Sequence, residues 1–345
     1  MDTSVMITLG FLIFAIVMFA WEKIPLSITA MVVAVGLHLS GVLSAKEAFA
    51  GFVDPNVLLF MGMFVIGEAF FATGVAVGVG NVVHKFAKTE TSLLVAVMMI
   101  TGILSGFLSN TGTAAVLIPV IIGICKKSGF KQTKLLMPLV FAAAMGGNIS
   151  LIGAPGNMIA QAGLQQAGLG SFNFFDYGLV GLPILIVGTI FYATIGKRFL
   201  PDAPSHQPDG AFEGNDDYSH VPSWKKWTAA IVLILTVVAM IFEKQLGVKL
   251  YVSAWIGALV LVATNVISET AAVKSIDMKT IMLFAGSMAL GDAMVKTGTG
   301  SVIADIIVNS LGASPSPIVV LVVIFVLGVF MTNFMSNTAT CALLV

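Results

Sequence analysis

A chain of 345 residues with 58% hydrophobic and only 10% charged residues has too little charge to cover a soluble domain, for which about 25% is usual. Its 17 basic and 17 acidic side chains cancel, so net charge argues neither for nor against an anionic partner, and no nucleic-acid partner is expected. Two cysteines (Cys125, Cys341) and four histidines fall into no disulfide or metal spacing, and no nucleophile–base pair stands out, so no enzyme chemistry and no cofactor is expected. The expected fold class is an all-α membrane protein, crossed by apolar helices of roughly 20 residues each.

In chain order the expected spans are 4–21, 25–43, 56–83, 133–166, 178–198, 226–242, 251–268 and 280–310. The first lacks a basic leader and a small-residue cleavage site, so it reads as a span and not as a signal peptide. Residues 201–224, rich in Pro, Asp and Ser, read as a cytoplasmic linker between two membrane halves. The expected organisation is N-terminal spans over 1–52, a first repeat over 53–200, the linker, and a second, incomplete repeat over 225–345.

Stretch 91–125 is bracketed by Lys85, Lys88, Lys126, Lys127, Lys131 and Lys134. Lys197, Arg198, Lys225 and Lys226 bracket the linker. Positive charge marks the cytoplasmic side, so 91–125 is expected to enter and leave on one face as a re-entrant hairpin. Its tip would be Ser109-Asn110-Thr111. Two short spans joined by an outside turn are the bland alternative.

A repeat supports this division. LFMGMFVIGEAFFATG at 59–74 matches LFAGSMALGDAMVKTG at 283–298, an offset of 224, and LSNTGTAAVL at 108–117 matches MSNTATCALL at 335–344, an offset of 227. Counting crossings makes the second hairpin enter from the opposite face, which is the inverted-topology repeat of secondary transporters. The chain stops a few residues into the second return arm. The sequence is therefore expected to be C-terminally truncated by roughly 80 residues relative to the first repeat, and inactive as it stands.

A helix broken at membrane depth must line a cavity or be buried in protein. The first arm of each hairpin would offer carbonyl oxygens which, with Ser and Asn oxygens, suit a hard cation such as Na⁺. The second arm would offer N–H groups and a positive dipole end, which suit a carboxylate or sulfate. GGNISLIGAPGN at 146–157 is expected to unwind its span beside the first tip, although such glycines also serve close helix packing. Glu68 and Asp292 occupy matching repeat positions. As acids within spans they are candidates for proton coupling, or else they hydrogen-bond to the neighbouring hairpins. No Lys or Arg lies beside either tip in sequence, so co-bound cations would compensate an anionic substrate, which points to symport.

The paired Ser-Asn-Thr tips, the GGNISLIGAPGN stretch and the PILIVG span after it resemble the divalent anion:sodium symporter family, within the wider ion-transporter superfamily of citrate, arsenite and some Na⁺/H⁺ transporters. The resemblance implies Na⁺-coupled symport of a small di- or tricarboxylate or sulfate by an elevator mechanism. It also implies a homodimer in the plasma (bacterial inner) membrane. It places one cation among Ser105, Ser109, Asn110 and the Gly153 carbonyl. A second cation would meet Thr332, the Met335 carbonyl and Asn337. Substrate carboxylates would meet Asn110, Thr111, Ala154, Pro155, Asn337 and Thr338. Ala154 departs from the hydroxyl residue the family often has there, which leaves the anion open. An H⁺-coupled citrate or metalloid permease, or a Na⁺/H⁺ antiporter, is the alternative reading. A channel-like or sensory protein that binds the anion without moving it is a third.

Overall fold

The computed structural model describes residues 2–21, 23–78, 89–128, 130–200, 218–303, 316–333 and 335–345. Those residues form sixteen α-helices, further helical turns at 75–78 and 299–303, short 3-10 turns and no strand. The first four are α1 (Thr3–Trp21), α2 (Leu26–Leu39), the one-turn α3 (Ala45–Ala48) and α4 (Pro55–Ala72). Then come α5 (Glu90–Ser105), α6 (Asn110–Ser128), α7 (Thr133–Gly146), α8 (Pro155–Gln166) and α9 (Gly178–Thr194). Next are α10 (Ser223–Ile241), α11 (Glu243–Leu246), α12 (Leu250–Ala263) and α13 (Glu269–Ser275). The last are α14 (Met278–Thr297), α15 (Pro317–Met331) and α16 (Asn337–Leu344). Among the described residues α1, α4, α10 and α14 are long and apolar enough to cross a membrane, and seven further helices are apolar but shorter. The molecule is an integral, multi-pass membrane protein.

Local chemistry sets the helix ends. Pro55, Pro155 and Pro317 each stand first in their helix, where a missing N–H removes no helical bond. Ser44 with Glu47 and Thr89 with Ser92 close reciprocal caps at the starts of α3 and α5, satisfying donors that the first turn leaves free. Most of the linker expected over 201–224 lies outside the described residues; α10 begins at Ser223.

Two expected spans are interrupted within their apolar runs. In the 56–83 run α4 breaks off after Ala72, and in the 280–310 run α14 breaks off after Thr297. In each, the following glycine turns left-handed, Gly74 at φ 73° and Gly298 at φ 73°, a helix terminator that glycine adopts without strain. In each, the preceding threonine bonds back one turn at 2.7 Å, Thr73 to the Ala69 carbonyl and Thr297 to that of Ala293. The Thr-Gly that closes both copies of the 59–74 motif is thus a break, after which helix resumes at 75–78 and at 299–303.

The chain forms two compact units, each described by itself. Lipid tails are as apolar as leucine, so association of helices in a bilayer rests on close packing and polar contacts. In the unit of residues 1–58, 158–171 and 277–345, α2 packs along α14. Gly286 there presses on the Ala30 backbone, and Val33, Leu37, Ala289, Leu290 and Ala293 fill the seam. In the unit of residues 59–157 and 172–276, Gly62 meets Ala254 in the same way and Ile66 meets Gly257. These contacts sit 224 residues from Gly286–Ala30 and Leu290–Val33, and α2 and α12 have bounds 224 apart at both ends.

The second unit also holds α5, α6, α7 and α9. Arm α5 crosses α7 where the Gly102 and Gly146 backbones touch, so no side chain fits between them. Leu93, Val97 and Met98 pack there against Leu135, Leu139 and Leu185. At one end of this unit Lys134 Nζ donates to the carbonyls of Lys197 and Leu200 at 2.8 Å each, and Lys197 Nζ reaches Thr91 at 2.9 Å. The lysine groups read as cytoplasmic thus have members sharing one end of the unit. Span 133–166 is interrupted: α7 stops at Gly146 and α8 starts at Pro155.

Candidate functional site

The first Ser-Asn-Thr stands where α5 ends and α6 begins. Ser109 caps α6, its Oγ accepting from Gly112 N–H at 3.0 Å, so this hydroxyl expected at a cation is already engaged by backbone. Thr111 is exposed at the tip. Asn110 turns inward, toward the break in span 133–166.

Ser105, one turn back on arm α5, is fully buried. Its Oγ lies 2.7 Å from Asn110 Oδ1 and 2.7 Å from the Ala143 carbonyl. The amide end of Asn110 that faces Ser105 also lies 3.2 Å from the Ala143 carbonyl oxygen and 3.2 Å from that of Gly153. A half-turn of the amide exchanges its oxygen and nitrogen without changing its shape. With nitrogen inward the group donates to the Ser105, Ala143 and Gly153 oxygens. With oxygen inward, four oxygens converge around a single hydroxyl proton, an arrangement suited to a hard cation.

The break is held by its own bonds. Asn157, buried at the start of α8, donates from Nδ2 to the Gly147 carbonyl at 2.8 Å and to that of Ser150 at 2.9 Å. Ser150 Oγ donates to the Gly106 carbonyl at the end of arm α5, and Tyr177 donates to the Asn157 carbonyl at 2.8 Å. Gly147 lies against the Asn110 side chain, and Gly153 against the carbonyls of Gly147 and Gly106. A Cβ at either glycine would displace the oxygens that converge here. Ala154 and Pro155 are half-buried at the N-terminus of α8, whose free N–H groups favour negative charge.

The second tip repeats two bonds of the first. Thr332 Oγ1 donates to Asn337 Oδ1 at 2.8 Å, as Ser105 does to Asn110. Ser336 Oγ accepts from Ala339 N–H at 3.2 Å, as Ser109 does from Gly112. The Met335 side chain is buried against Ala30 and Leu283. Thr332 and Asn337 are exposed and Thr338 is half-buried.

The structure brings together Ser105, Asn110 and Gly153 within one unit, and Thr332, Met335, Asn337 and Thr338 within the other. Sequence reasoning missed the Ala143 carbonyl, since a backbone oxygen leaves no residue signature. It also missed Asn157 as the residue that fixes the break, although the Pro-Gly-Asn that contains it is plain in the sequence.

Helix α4, which carries Glu68, runs beside the first tip, with Gly67 near Leu108 and Phe71 against Gly112. Glu68 is half-buried on α4. Asp292 accepts from Gln166 Nε2 on α8 at 3.1 Å, which corrects the expectation that a hairpin holds it. Lys296 pairs with Glu47 of α3 at 2.8 Å. Asp292, Gln166, Glu47 and Lys296 line a cavity of about 400 Å³ in the first unit. Glu47 lies outside the spans, and its bonds from Lys296 and from the Ser44 backbone hold its carboxyl at a pKa of about 2, below the usual 4.5.

The family model described as citrate transporter matches residues 16–345. An uncharacterised transporter of Escherichia coli is 33% identical over 211 residues, covering 61% of this chain and 35% of that protein. An uncharacterised transporter of Haemophilus influenzae is 27% identical over 98% of this chain and 75% of its own length. The chain therefore spans about a third of the length of one relative and three quarters of the other. A sodium-dependent dicarboxylate transporter of Staphylococcus saprophyticus is 25% identical over 94% of this chain and 68% of its own length. These relatives are transporters and not enzymes. A match over nearly the whole chain, on a helical membrane scaffold, settles the family: the protein belongs to the citrate transporter family.

Proposed function

We propose that the protein takes part in Na⁺-coupled symport of a small di- or tricarboxylate or sulfate by elevator-type alternating access, as a homodimer. The observation that carries this reading is the convergence of the Ser105, Asn110, Ala143 and Gly153 oxygens, with its counterpart at Thr332 and Asn337. Na⁺ and the anion are both substrates here. With the cation present, Asn110 turns its oxygen inward and its amide N–H groups toward an arriving carboxylate. Without it, the amide reverses and satisfies the same oxygens. The anion then gains a partner only when the cation is bound, which is the coupling a symporter needs. The name of the Staphylococcus relative supports the choice of Na⁺ and dicarboxylate.

Melting of the purified protein across succinate, citrate and sulfate tests this, with NaCl or KCl at equal ionic strength. A bound ligand raises stability by about 2.7 kcal/mol at a hundred times its Kd. Succinate is expected to stabilise in Na⁺ and not in K⁺. Equal stabilisation in the two salts overturns the reading. The H⁺-coupled alternative rests on Asp292 in its polar cavity. It requires pH-dependent stabilisation that Asp292→Asn abolishes, whereas under the Na⁺ reading that variant keeps the Na⁺ effect.

A further inference from the structure

Six buried side-chain hydroxyls have no hydrogen-bond partner among the described residues: Thr29, Thr101, Thr113, Ser253, Ser287 and Thr340. Leaving such a group unsatisfied is costly, and a recurrent case calls for a partner absent from the protein itself. Two of the six, Thr113 and Thr340, stand at the same place in the two tips. They are 227 residues apart, each the second threonine of a Ser-Asn-Thr-x-Thr run, and they are 1% and 5% exposed. Other helical threonines here, such as Thr73, Thr189 and Thr297, bond to the carbonyl four residues back at 2.7 Å. Thr113 and Thr340 do not, although their N–H groups donate to the Ser109 and Ser336 carbonyls at 2.9 Å.

Helix geometry says where these hydroxyls lie. Residues three apart share a face, so Thr113 stands beneath Asn110 and Thr340 beneath Asn337. Helical side chains lean toward the N-terminus of their helix. In α6 and α16 the N-terminus is the tip, so both threonines lean toward it, on the side of Asn110 and Asn337. On arm α5 the lean is the other way, and Thr101, also unpartnered, tilts away from the tip. Thr29 and Ser253, likewise a pair 224 residues apart, sit beside Ala30 and Ala254 at the glycine crossings.

We propose that Thr113 and Thr340 each supply one more oxygen to the coordination shell of the cation at their tip. This rests on the Na⁺ reading above. At the first tip Thr113 adds to the oxygens of Ser105, Asn110, Ala143 and Gly153, and at the second Thr340 adds to those of Thr332 and Asn337. A monovalent cation stripped of water inside the membrane needs such a donor to replace its hydration.

The test is a Na⁺ titration of the melting temperature at fixed succinate, with K⁺ balancing ionic strength, on the protein and on Thr113→Val, Thr340→Val, Thr113→Ser, Thr340→Ser and Thr101→Val. Each valine variant at 113 or 340 is expected to raise the Na⁺ half-saturation about tenfold. In Na⁺-free buffer its melting temperature should be unchanged or higher, because an unsatisfied buried hydroxyl has gone. The serine variants keep the hydroxyl and should keep the original Na⁺ dependence, as should Thr101→Val. Unchanged Na⁺ dependence in both valine variants overturns this proposal while leaving the Na⁺ reading intact. Serine variants that weaken Na⁺ as much as valine overturn it too, since packing is then the cause. Absence of any Na⁺ effect on the unaltered protein overturns both.

Discussion

Asn157→Ala removes the side chain that ties the two sides of the interrupted span together. Its Nδ2 bonds to the Gly147 and Ser150 carbonyls, at 2.8 and 2.9 Å, are made in a buried setting, where each contributes about 1 kcal/mol net. Both carbonyls belong to the turn that positions Gly153, whose oxygen lies 3.2 Å from the Asn110 amide. If the freed turn populates other conformations, the competent fraction falls and the apparent cation affinity falls with it. A total of about 2 kcal/mol corresponds to a Na⁺ half-saturation raised about 30-fold, read as the Na⁺ dependence of succinate-induced stabilisation. Tyr177→Phe deletes the 2.8 Å bond to the Asn157 carbonyl and should act in the same direction, about fivefold for roughly 1 kcal/mol. A folded Asn157→Ala protein with the original Na⁺ half-saturation would refute the assignment of this residue to holding the site.

Ser105→Ala takes away the hydroxyl that joins Asn110 to the Ala143 carbonyl and is expected to weaken Na⁺-dependent stabilisation at least tenfold, for about 1.5 kcal/mol or more. Gly146→Ala drives a methyl into the Gly102 backbone, and overpacking of this kind costs about 1–3 kcal/mol, so the melting temperature should drop. Gly10→Ala, with open space around it in α1, should be neutral or stabilising by up to about 1 kcal/mol. The Glu47 carboxyl has its pKa depressed by Lys296 and Ser44. Its contribution to stability is therefore full above pH 4.5 and lost as pH falls toward about 2. Melting over that range should show a steeper acid loss for the unaltered protein than for Glu47→Gln. The difference should shrink in high salt, since the Glu47–Lys296 pair is exposed.

Much of the architecture is legible in the sequence because its signals are local. Apolar run length marks the spans, Pro155 and the flanking glycines mark the interruption, and the repeated Ser-Asn-Thr points to two helix starts that share their bonding pattern. The ends of α4 and α14 are not legible in this way, because hydropathy continues past them. The Thr-Gly that stops each helix acts through a left-handed backbone turn at Gly74 and Gly298, which composition does not register. The correspondence of α2 with α12 is hidden because few of their side chains agree; it shows in their matching bounds and in where Ala30 and Ala254 receive a glycine. The pairing of Lys296 with Glu47 joins residues 249 apart in the chain, and nothing within one helix turn of Lys296 announces it.

The glycine-on-alanine contacts have a consequence for how the two halves of the chain depend on one another. Helix α2, from the first half, is seated against α14 of the second, and α12 of the second against α4 of the first. Within its own half α2 keeps α1 and the one-turn α3, and α12 keeps α10, and the face that meets a glycine is left without its mate. Made as separate polypeptides, 1–200 and 218–345 would each expose an unsatisfied small-residue face to lipid and be prone to degradation. Made together they would clasp one another like two hands, with no peptide bond required between them.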